Sequence, residues 1–269
     1  MTSLTLCTWN TNGPIGGTDK LRYLSGIGFD VASLQECEAA PHNGQYNAVS
    51  RTAGIGRGGN VAILSPHGLA VVEDSPECTV SAFVEGPFGR FLFIAAWIKP
   101  VLGDKSSLRY VRRLFPIFDW AASTAGALPF AIAGDFNCNA SFARGRGQEF
   151  NRIATSWGSN YNISSLWHRY NNLRLGEGEQ PTWSSKMRSG TPDYMIDYVF
   201  APASWELRSV WIGEHCGSDH KPVVAELSTA TGAGTARVNV ANAVQPHQAT
   251  TGVSKKDDKN REWWRFWQQ

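Results

Sequence analysis

The sequence lacks the features that would place it in a membrane or outside the cell. It contains no run of about 18 apolar residues, which is the length that a membrane-spanning helix requires. Its N-terminal segment carries neither a basic region nor a long apolar stretch, and this predicts a protein without a signal peptide. From these absences we expect a soluble, cytoplasmic (intracellular) protein.

The sequence also has little net charge and no cysteine pattern typical of disulfides. The formal net charge is only +2, so nucleic-acid binding would depend on a local basic surface and not on overall charge. The five cysteines are odd in number and form no CxxC pair, which favours free thiols over a disulfide framework. Cys7, Cys37 and Cys138 stand beside residues of interest below, but we expect them in the core, because free thiols are usually buried.

The composition divides the chain into three parts. Residues 1–228 carry all of the motifs described below, and we expect them to form one catalytic domain. Residues 229–254 are rich in Ala, Thr, Gly, Val and Asn without a core pattern, which predicts a flexible linker. Residues 255–269 form a basic, aromatic C-terminal tail, which suggests a peptide that docks on a protein partner or a membrane surface. The alternative is an end whose tryptophans fold back on the domain.

Hydrophobic periodicity predicts a mixture of strands and helices. Three segments have helical character, at 18–27, 107–125 and 148–157, and in the second of these Leu108, Val111, Leu114, Phe115 and Phe118 share one side. Strands are predicted at 4–9, 31–35, 46–51, 61–64, 70–73, 79–84, 91–98, 129–132, 163–167, 195–200, 207–212 and 222–227. Periodicity alone indicates only a mixed α and β protein, and no internal sequence repeat is evident.

The most informative stretch is Ala-Gly-Asp-Phe-Asn-Cys at 133–138, which follows a short apolar run at 129–132. Gly134 would allow the strand to end tightly. Asp135 and Asn137 are two residues apart, so on an extended chain their side chains share a face. A carboxylate and a carboxamide at the end of a buried strand can bind a cation or place a water molecule. The alternative is an Asx turn, which both residue types favour.

Four further fragments accompany this stretch, namely Thr8-Trp9-Asn10, Leu34-Gln35-Glu36, residues 194–200 and residues 217–223. The five motifs in this order resemble the endonuclease/exonuclease/phosphatase superfamily, whose members include pancreatic-type DNases and abasic-site endonucleases. The resemblance covers roughly residues 1–228. It implies an α/β four-layer sandwich, in which two β-sheets lie face to face between outer helices.

The resemblance also implies a site for a divalent cation, Mg²⁺ or Mn²⁺. Glu36 and Asp219 supply hard oxygen ligands of the kind that these cations prefer. Asn10 would complete or orient the shell around the cation. Each of these residues also has an ordinary structural interpretation, as a strand-end carboxylate, a loop cap or a turn residue.

The expected catalytic residues are Asp135, Asn137, Asp197 and His220. His220 is the natural acid or base, because the ordinary pKa of histidine, about 6.5, lies near working pH. By resemblance, Asp197 pairs with the imidazole, Asp135 orients or deprotonates the attacking water, and Asn137 contacts the phosphate. Whether the aspartate or the histidine activates the water stays open.

One position departs from the superfamily pattern. Trp97 stands where the pancreatic DNase branch has a second catalytic histidine and abasic-site endonucleases have a tyrosine. Its indole N–H can donate a hydrogen bond but cannot act as an acid or base. Trp97 is therefore either a substrate contact or a core residue.

Basic residues near the motifs predict a nucleic-acid-binding rim, although a solvated charged surface is the alternative. They are Arg51, Arg57, Lys99, Arg109, Arg112, Arg113, Arg144, Arg146, Lys186 and Arg188. The candidate substrate contacts are Trp97, Arg109, Arg144, Arg146 and Thr182, the last by its place in a Thr-Trp pair.

The motifs together predict a divalent-metal-dependent nuclease that hydrolyses DNA phosphodiester bonds by in-line attack of water. Two alternatives stay open. One is a phosphatase or phospholipase-like phosphodiesterase acting on a small or lipid phosphate. The other is a catalytically inactive relative that serves as a binding module, and the complete set of motif residues argues against it.

Overall fold

The structure is a computed structural model that describes residues 2–15, 19–38, 44–53, 59–142, 145–184 and 193–228. The expected linker at 229–254 and the expected tail at 255–269 lie outside the described residues. None of the helices in the described segments combines the length and the hydrophobicity needed to cross a lipid bilayer.

Two mixed sheets of six strands each form the centre of the fold. In the first sheet the order is β11-β12-β1-β2-β4-β3, with β1 at Ser3–Asn10, β2 at Val31–Cys37, β3 at Asn47–Thr52, β4 at Asn60–Ser65, β11 at Glu206–Ile212 and β12 at Val223–Ser228. In the second sheet the order is β5-β6-β7-β8-β10-β9, with β5 at Gly68–Val72, β6 at Thr79–Gly86, β7 at Gly89–Trp97, β8 at Phe130–Asp135, β9 at Ile163–Ser165 and β10 at Asp197–Pro202.

The two sheets repeat one pattern of strand directions. In each, the central pair is parallel, β1 with β2 and β7 with β8. Every other neighbouring pair in both sheets is antiparallel. Each parallel pair is joined through a helix, as a parallel connection requires. The fold is therefore internally repeated although the sequence shows no repeat.

The inner faces of the sheets pack against each other to form the main core. Strands β4, β6, β7, β8 and β10 contribute apolar side chains that are almost completely buried. Leu6, Phe93 and Ile132, for example, have no exposed surface. The Ser33 hydroxyl on β2 donates to the Ala133 carbonyl on β8 at 2.8 Å, so a polar contact also joins the two sheets. The expected four-layer sandwich is confirmed.

Four helices accompany the sheets: α1 at Asp19–Ile27, α2 at Val111–Ala125, α3 at Arg146–Tyr161 and α4 at Leu166–Asn171. Helices α2 and α3 contact each other through stacked rings of Phe118 and Trp157, whose centroids are 3.5 Å apart. A smaller cluster packs beneath α1, with Leu24 as the buried residue of that helix.

Several predicted element boundaries differ from the structure, and three of the differences concern helices. Helix α2 begins at Val111 and not at residue 107, and Phe115 is 47% exposed while Ile117 and Ala121 complete the buried side. Helix α3 is longer than expected at both ends. The strand expected at 163–167 ends at Ser165, because Leu166 begins α4. Apolar runs of this length fit either type of element, so periodicity does not place such boundaries.

Gly134 has a different role from the expected tight strand end. It lies within β8 and pairs with Ala96 on β7. A Cβ at this position would lie 1.9 Å from the Ala96 carbonyl oxygen. Glycine is therefore required because the neighbouring backbone approaches closely. The same approach holds the carboxyl ends of β7 and β8 together, and Asp135 follows directly.

Candidate active site

The motif residues meet at one edge of the sandwich because of strand direction. In the two parallel pairs, β1, β2 and β8 end at motif segments that supply Asn10, Glu36 and Asp135, and β7 ends at Trp97. Strand β10 runs antiparallel to β8 and begins with Asp197 opposite Asp135. His220 precedes β12, which runs antiparallel to β1.

A cavity of about 410 Å³ opens at this edge. Its lining contains acidic, basic and aromatic side chains, namely Glu36, Asp135, Asn137, Phe142, Arg146, Trp183, Tyr194, Ile196, Asp219 and His220. Five of the seven residues expected to be catalytic or metal-binding are in this lining, and the other two, Asn10 and Asp197, lie directly behind it through hydrogen bonds to Asp135 and His220.

Asp197 and His220 form the expected pair. The His220 Nδ1 atom lies 2.9 Å from Asp197 Oδ2. The same carboxylate oxygen accepts a hydrogen bond of 2.6 Å from the Thr182 hydroxyl. Trp9 Nε1 donates to the His220 carbonyl at 3.0 Å, and this fixes the backbone of the histidine. Both members of the pair are buried, and the Nδ1 atom is therefore held inside the protein.

Asp135 lies beside this pair and is held by amides. Its Oδ1 accepts from the Asn137 backbone N–H at 2.8 Å, and its Oδ2 accepts from Asn10 Nδ2 at 3.1 Å and Asn137 Nδ2 at 3.0 Å. The contact from the Asn137 backbone is an Asx turn, and Asn137 has a φ of 48°. The Asx turn and the functional interpretation of this motif are therefore compatible, because the turn brings the side chains of Asp135 and Asn137 together.

Burial and like charge raise the pKa of Asp135 to about 7. The largest cause is desolvation, the next is the negative charge of Asp197, and His220 opposes both. Burial would lower the pKa of His220, but Asp197, Asp135 and Asp219 outweigh it and raise the pKa to about 9. The site thus favours a cationic histidine beside a carboxyl group that changes its protonation state near neutral pH.

Glu36 and Asp219 provide the carboxylates expected to bind metal. Glu36 accepts from Asn10 Nδ2 at 3.0 Å through Oε1, and Asp219 accepts from Trp183 Nε1 at 3.2 Å through Oδ2. In the segments that the structure describes, each carboxylate keeps its second oxygen without a protein partner. Asn10 Oδ1 accepts from the Asn12 N–H at 3.0 Å, and this fixes the amide whose Nδ2 donates to both Glu36 and Asp135.

A local backbone irregularity turns Glu36 into the cavity. The register between β2 and β4 shifts between Gln35 and Cys37, which is a β-bulge. Glu36 has a φ of 54°, in the left-handed region that non-glycine residues seldom adopt. Backbone conformations of this kind cluster at functional sites, where the surrounding structure holds them.

The donor chemistry of the site fits a hard divalent cation. Glu36 and Asp219 offer oxygen atoms to the same cavity, and Mg²⁺ is commonly bound by one or two carboxylates and several waters. A second set of residues with possible metal ligands consists of Asp135, Asp197 and His220, whose ligand atoms lie within 4.8 Å of one another. In that group Asp197 Oδ1 is buried without a hydrogen-bond partner among the described residues. A bound cation would offset the charge that both groups concentrate here.

The expected substrate contacts do not all line this cavity. Arg146 does, and its guanidinium also donates to the Asn137 carbonyl. Thr182 has no exposed surface and lies behind Asp197, so its hydroxyl positions the carboxylate and does not face a substrate. Trp97 is only 8% exposed, and Arg109 lines a separate pocket. Arg144 lies outside the described residues.

The other basic residues of the expected rim are dispersed. Arg112 pairs with Asp104 at 2.9 Å, and Arg113 pairs with Glu77. Arg51 donates to the Ser75 carbonyl. Arg57, Lys186 and Arg188 lie outside the described residues. The rim that the sequence suggests is therefore partly neutralised by acidic neighbours.

Two residues of the site, Ser218 and Phe142, received no role from the sequence. Ser218 donates from its hydroxyl to the Asn10 carbonyl at 2.7 Å and thereby joins the loop of His220 to β1. Phe142 and Tyr194 pack edge to face in the cavity lining, with centroids 4.6 Å apart. Ser218 lies in the motif at residues 217–223, so the sequence could have indicated that it belongs to the site. No sequence pattern indicated Phe142.

Comparison with known proteins agrees with this architecture. The sequence pattern of the Endonuclease/Exonuclease/phosphatase family matches residues 7–220. A comparison with curated protein sequences finds no match.

Several solved structures are similar in fold. The 3′ phosphatase NExo from Neisseria, bound to a product DNA hairpin, is 16% identical with a TM-score of 0.61 over 84% of this chain and 99% of that one. The AP endonuclease LMAP from Leishmania major is 16% identical with a TM-score of 0.60 over 84% and 88%. A mannosyl-6-phosphatase from Bacteroides thetaiotaomicron is 17% identical with a TM-score of 0.54 over 84% and 99%.

Proposed function

Because the chain belongs to the Endonuclease/Exonuclease/phosphatase family, whose members are metal-dependent phosphoesterases, we propose that it hydrolyses phosphodiester bonds of DNA. The observation that carries this proposal is the convergence of Asp135, Asp197 and His220 within 4.8 Å beside a cavity that Glu36 and Asp219 also line. Phosphoester hydrolysis requires a positioned water, relief of negative charge on the phosphoryl oxygens and help for the leaving oxygen. The residues of this cavity can meet each requirement.

Glu36 and Asp219 hold a divalent cation in this proposal, and Asn10 orients the Glu36 carboxylate while Trp183 holds that of Asp219. When bound, Mg²⁺ or Mn²⁺ supplies charge stabilisation to the phosphoryl oxygens. The side chains of the protein perform the proton transfers and the positioning.

His220 carries the positive charge in the proposed mechanism. Asp197 holds Nδ1, so Nε2 is the nitrogen available to a substrate in the cavity. A pKa of about 9 keeps the imidazolium protonated near pH 7, so its Nε2–H can give a proton to the leaving oxygen as the P–O bond breaks. Thr182 fixes the orientation of Asp197 from the other side.

Asp135 accepts the proton of the attacking water. A pKa of about 7 is close to the value that makes a general base most effective at neutral pH. The amides of Asn10 and Asn137 fix the carboxylate, and Asn137 and Arg146 line the cavity where a phosphate would lie. The arrangement favours Asp135 over the already protonated His220 as the base.

Two features support DNA as the substrate. The cavity lining combines Arg146 with the aromatic residues Phe142, Trp183 and Tyr194, and base stacking on aromatic rings beside cationic groups is a common basis of strand binding. Among the similar structures, the 3′ phosphatase NExo is bound to DNA and LMAP is an AP endonuclease. The mannosyl-6-phosphatase makes a small phosphate monoester the competing substrate class.

The test is a substrate panel of plasmid DNA, a duplex with one abasic site, a sugar phosphate and phosphoinositide vesicles, each with Mg²⁺ and with EDTA. We expect Mg²⁺-dependent cleavage of at least one DNA substrate. Asp135→Asn should abolish it at unchanged fold, since the amide cannot accept the proton. Turnover of the sugar phosphate or the phosphoinositide without DNA cleavage would contradict the proposal and favour a phosphatase.

Glu36→Gln tests the metal assignment in the same assay. The substitution removes the charge that a hard cation prefers but keeps the size of the side chain. We expect the Mg²⁺ concentration that supports half-maximal activity to rise by about tenfold or more, in line with the loss of a ligand charge, and activity to recover partly at high Mn²⁺. An unchanged metal titration would remove Glu36 from the metal site.

A further inference from the structure

A second pocket lies beside the catalytic cavity, between the end of β7 and the start of α2. Its volume is about 260 Å³. The lining residues come from two loops and the first turns before and within α2, namely Glu77, Cys78, Lys99, Pro100, Val101, Leu102, Gly103, Asp104, Arg109 and Arg113. We call it the Lys99 pocket. The proposed chemistry of the catalytic cavity makes no use of it.

The loop that forms this pocket has an ordered backbone. The Val101 N–H donates to the Arg109 carbonyl at 3.0 Å, which closes the loop at its base. Asp104 accepts from the Ser106 N–H at 2.8 Å and pairs with Arg112 on α2 at 2.9 Å. These contacts hold the walls of the pocket independently of any ligand.

Lys99 is held in place by the ring of Trp97. Its Nζ atom lies 3.7 Å from the ring centroid, a cation–π contact. The two side chains share a face because they are two residues apart on an extended segment. Trp97 is in turn packed against Gly59, where a Cβ would lie 3.2 Å from the indole ring and 3.1 Å from the Glu36 Cα. The indole therefore fixes a lysine ammonium group close to the catalytic cavity.

The pocket carries unneutralised positive charge. Within the described part of the chain, neither Lys99 nor Arg109 forms an ion pair, whereas the two acidic residues of the lining, Glu77 and Asp104, pair with Arg113 and Arg112. Arg113 also has a buried Nε atom without a hydrogen-bond partner among the described residues. An anion would complement this arrangement.

Backbone hydrogen bonds join the pocket to the catalytic residues. The Ile98 N–H donates to the Asp135 carbonyl at 2.9 Å, and the Ile98 carbonyl accepts from Asn137 Nδ2 at 3.1 Å. Lys99 is the next residue, so the pocket begins one residue, or about 3.3 Å of strand, from the segment bound to Asp135 and Asn137. The Lys99 pocket is therefore a direct neighbour of the segment that holds the catalytic carboxylate and amide.

We propose that the Lys99 pocket binds a backbone phosphate of the DNA strand next to the phosphate that is hydrolysed, with Lys99 as the main contact and Arg109 at its rim. This inference rests on the proposed function and deepens it. A substrate with one phosphate fills only the catalytic cavity, whereas a strand fills both positions. The pocket therefore provides a physical reason for preferring a polynucleotide to a small phosphate monoester.

The test measures binding separately from cleavage. A short fluorescent DNA strand with phosphorothioate linkages keeps the backbone charge and resists hydrolysis, so its affinity can be measured by anisotropy with the full-length protein in Mg²⁺. Lys99→Gln and Arg109→Gln are compared with Lys105→Gln, an exposed lysine of the same loop outside the pocket lining. Thermal unfolding of each variant serves as the folding control.

We expect Lys99→Gln to weaken binding by about tenfold and to reduce the slope of log affinity against log salt by about 1, as the loss of one phosphate contact does. Arg109→Gln should act in the same direction, Lys99→Arg should retain most of the affinity, and Lys105→Gln should stay within about twofold of the wild type.

Three results would overturn the inference: an unchanged affinity for Lys99→Gln, a weaker affinity with an unchanged salt slope, or an equal loss for Lys105→Gln. Cleavage of unmodified DNA by the wild type is scored separately. If the wild type binds the strand through Lys99 but does not cleave DNA, the proposed function fails and the pocket stands. If it cleaves DNA and Lys99→Gln binds normally, the pocket fails and the function stands.

Discussion

The described residues include two buried histidine–carboxylate pairs that look alike by distance and differ in their surroundings. His220 Nδ1 lies 2.9 Å from Asp197, and His168 Nε2 lies 3.1 Å from Glu179. Both histidine side chains are 6% exposed. His220, however, lines the catalytic cavity, whereas His168 lies in α4 and is not part of that lining.

The His168 pair belongs to a closed polar network. His168 Nδ1 bonds the Ser165 hydroxyl at 2.8 Å, so both ring nitrogens have protein partners. Glu179 additionally accepts from Asn139 Nδ2 and from the Gly176 N–H at 3.1 Å. Asn139 Nδ2 also donates to the Met195 carbonyl at 2.7 Å, two residues before Asp197. This network braces the loop after the central motif against the segment that leads into β10.

The His220 pair is open by comparison. Among the described residues Nδ1 is the ring nitrogen with a protein partner, and Asp197 keeps Oδ1 buried without one. Buried polar groups are normally satisfied, so an unsatisfied one beside a cavity marks a place where a ligand or substrate completes the bonding. The contrast shows that a histidine–carboxylate distance alone does not indicate catalysis. What matters is whether both ring nitrogens are already used.

The largest effect should come from breaking the open pair. Asp197→Asn and His220→Ala should each reduce single-turnover cleavage at saturating Mg²⁺ by about 10²–10⁴-fold, the range for a general acid or base and its orienting carboxylate. The double variant should be far less impaired than the product of the two losses, because the residues act as one unit. Multiplicative losses would mean that the two residues work separately.

Breaking the closed pair should act on stability instead. Glu179→Ala removes the buried carboxylate paired with His168, while Asn139 and Tyr198 keep the Met195 carbonyl as an acceptor, and we expect the free energy of unfolding to fall by about 3–5 kcal/mol. Turnover per folded molecule should fall by less than tenfold, since none of these side chains lines the cavity. A loss of turnover as large as that of His220→Ala, at full folding, would contradict the structural role.

The open pair should also make the stability of the metal-free protein depend on pH. The pKa of His220 is raised to about 9, so between about 6.5 and 9 the folded state binds more protons than the unfolded state. Its contribution is fully present below pH 6.5 and is lost as the pH rises through 9. Urea unfolding in EDTA should lose roughly 1–3 kcal/mol over this range, and His220→Gln should flatten the curve. An unchanged slope in that variant would refute the assignment.

The smallest effect should come from removing everything after Ser228. Both histidine pairs and the whole of both sheets lie in residues 2–228, so the truncated protein should cleave a short oligonucleotide at nearly the wild-type rate and unfold at nearly the same urea concentration. The control is the full-length protein under identical conditions. A large loss of turnover in a truncated protein that is still folded would give the tail a part in catalysis.

Much of the fold and of the site was predictable from the sequence, for two physical reasons. Short apolar runs with turn residues between them mark strands. The motifs place the polar residues Asn10, Glu36 and Asp135 at the carboxyl ends of β1, β2 and β8. Carboxyl ends of parallel strands meet at one edge, so the grouping of Asn10, Glu36 and Asp135 could be expected. The pairing of Asp197 with His220 could be expected from the resemblance. Both groups are now seen as contacts.

Other features depended on contacts between residues distant in the sequence. The left-handed conformation of Glu36 comes from a bulge against β4, and Gly134 is required by the backbone of β7, so neither follows from local preference. Thr182 lies outside the motif at residues 194–200, but its hydroxyl donates a hydrogen bond to Asp197 of that motif, fifteen residues away.

The sequence by itself determined the chemistry of this protein, because the residue types and their order fix which acids, amides and imidazole are available. The tertiary structure decided how each is used. It distinguished His220 from His168, placed Lys99 on the Trp97 ring beside a second pocket, and repeated one strand pattern in two sheets without a repeated sequence. The physical reason is that many different sequences can form the same arrangement of strands and the same buried core. The hydrogen bonds and the charge environment of a side chain, in contrast, depend on which groups folding places next to it.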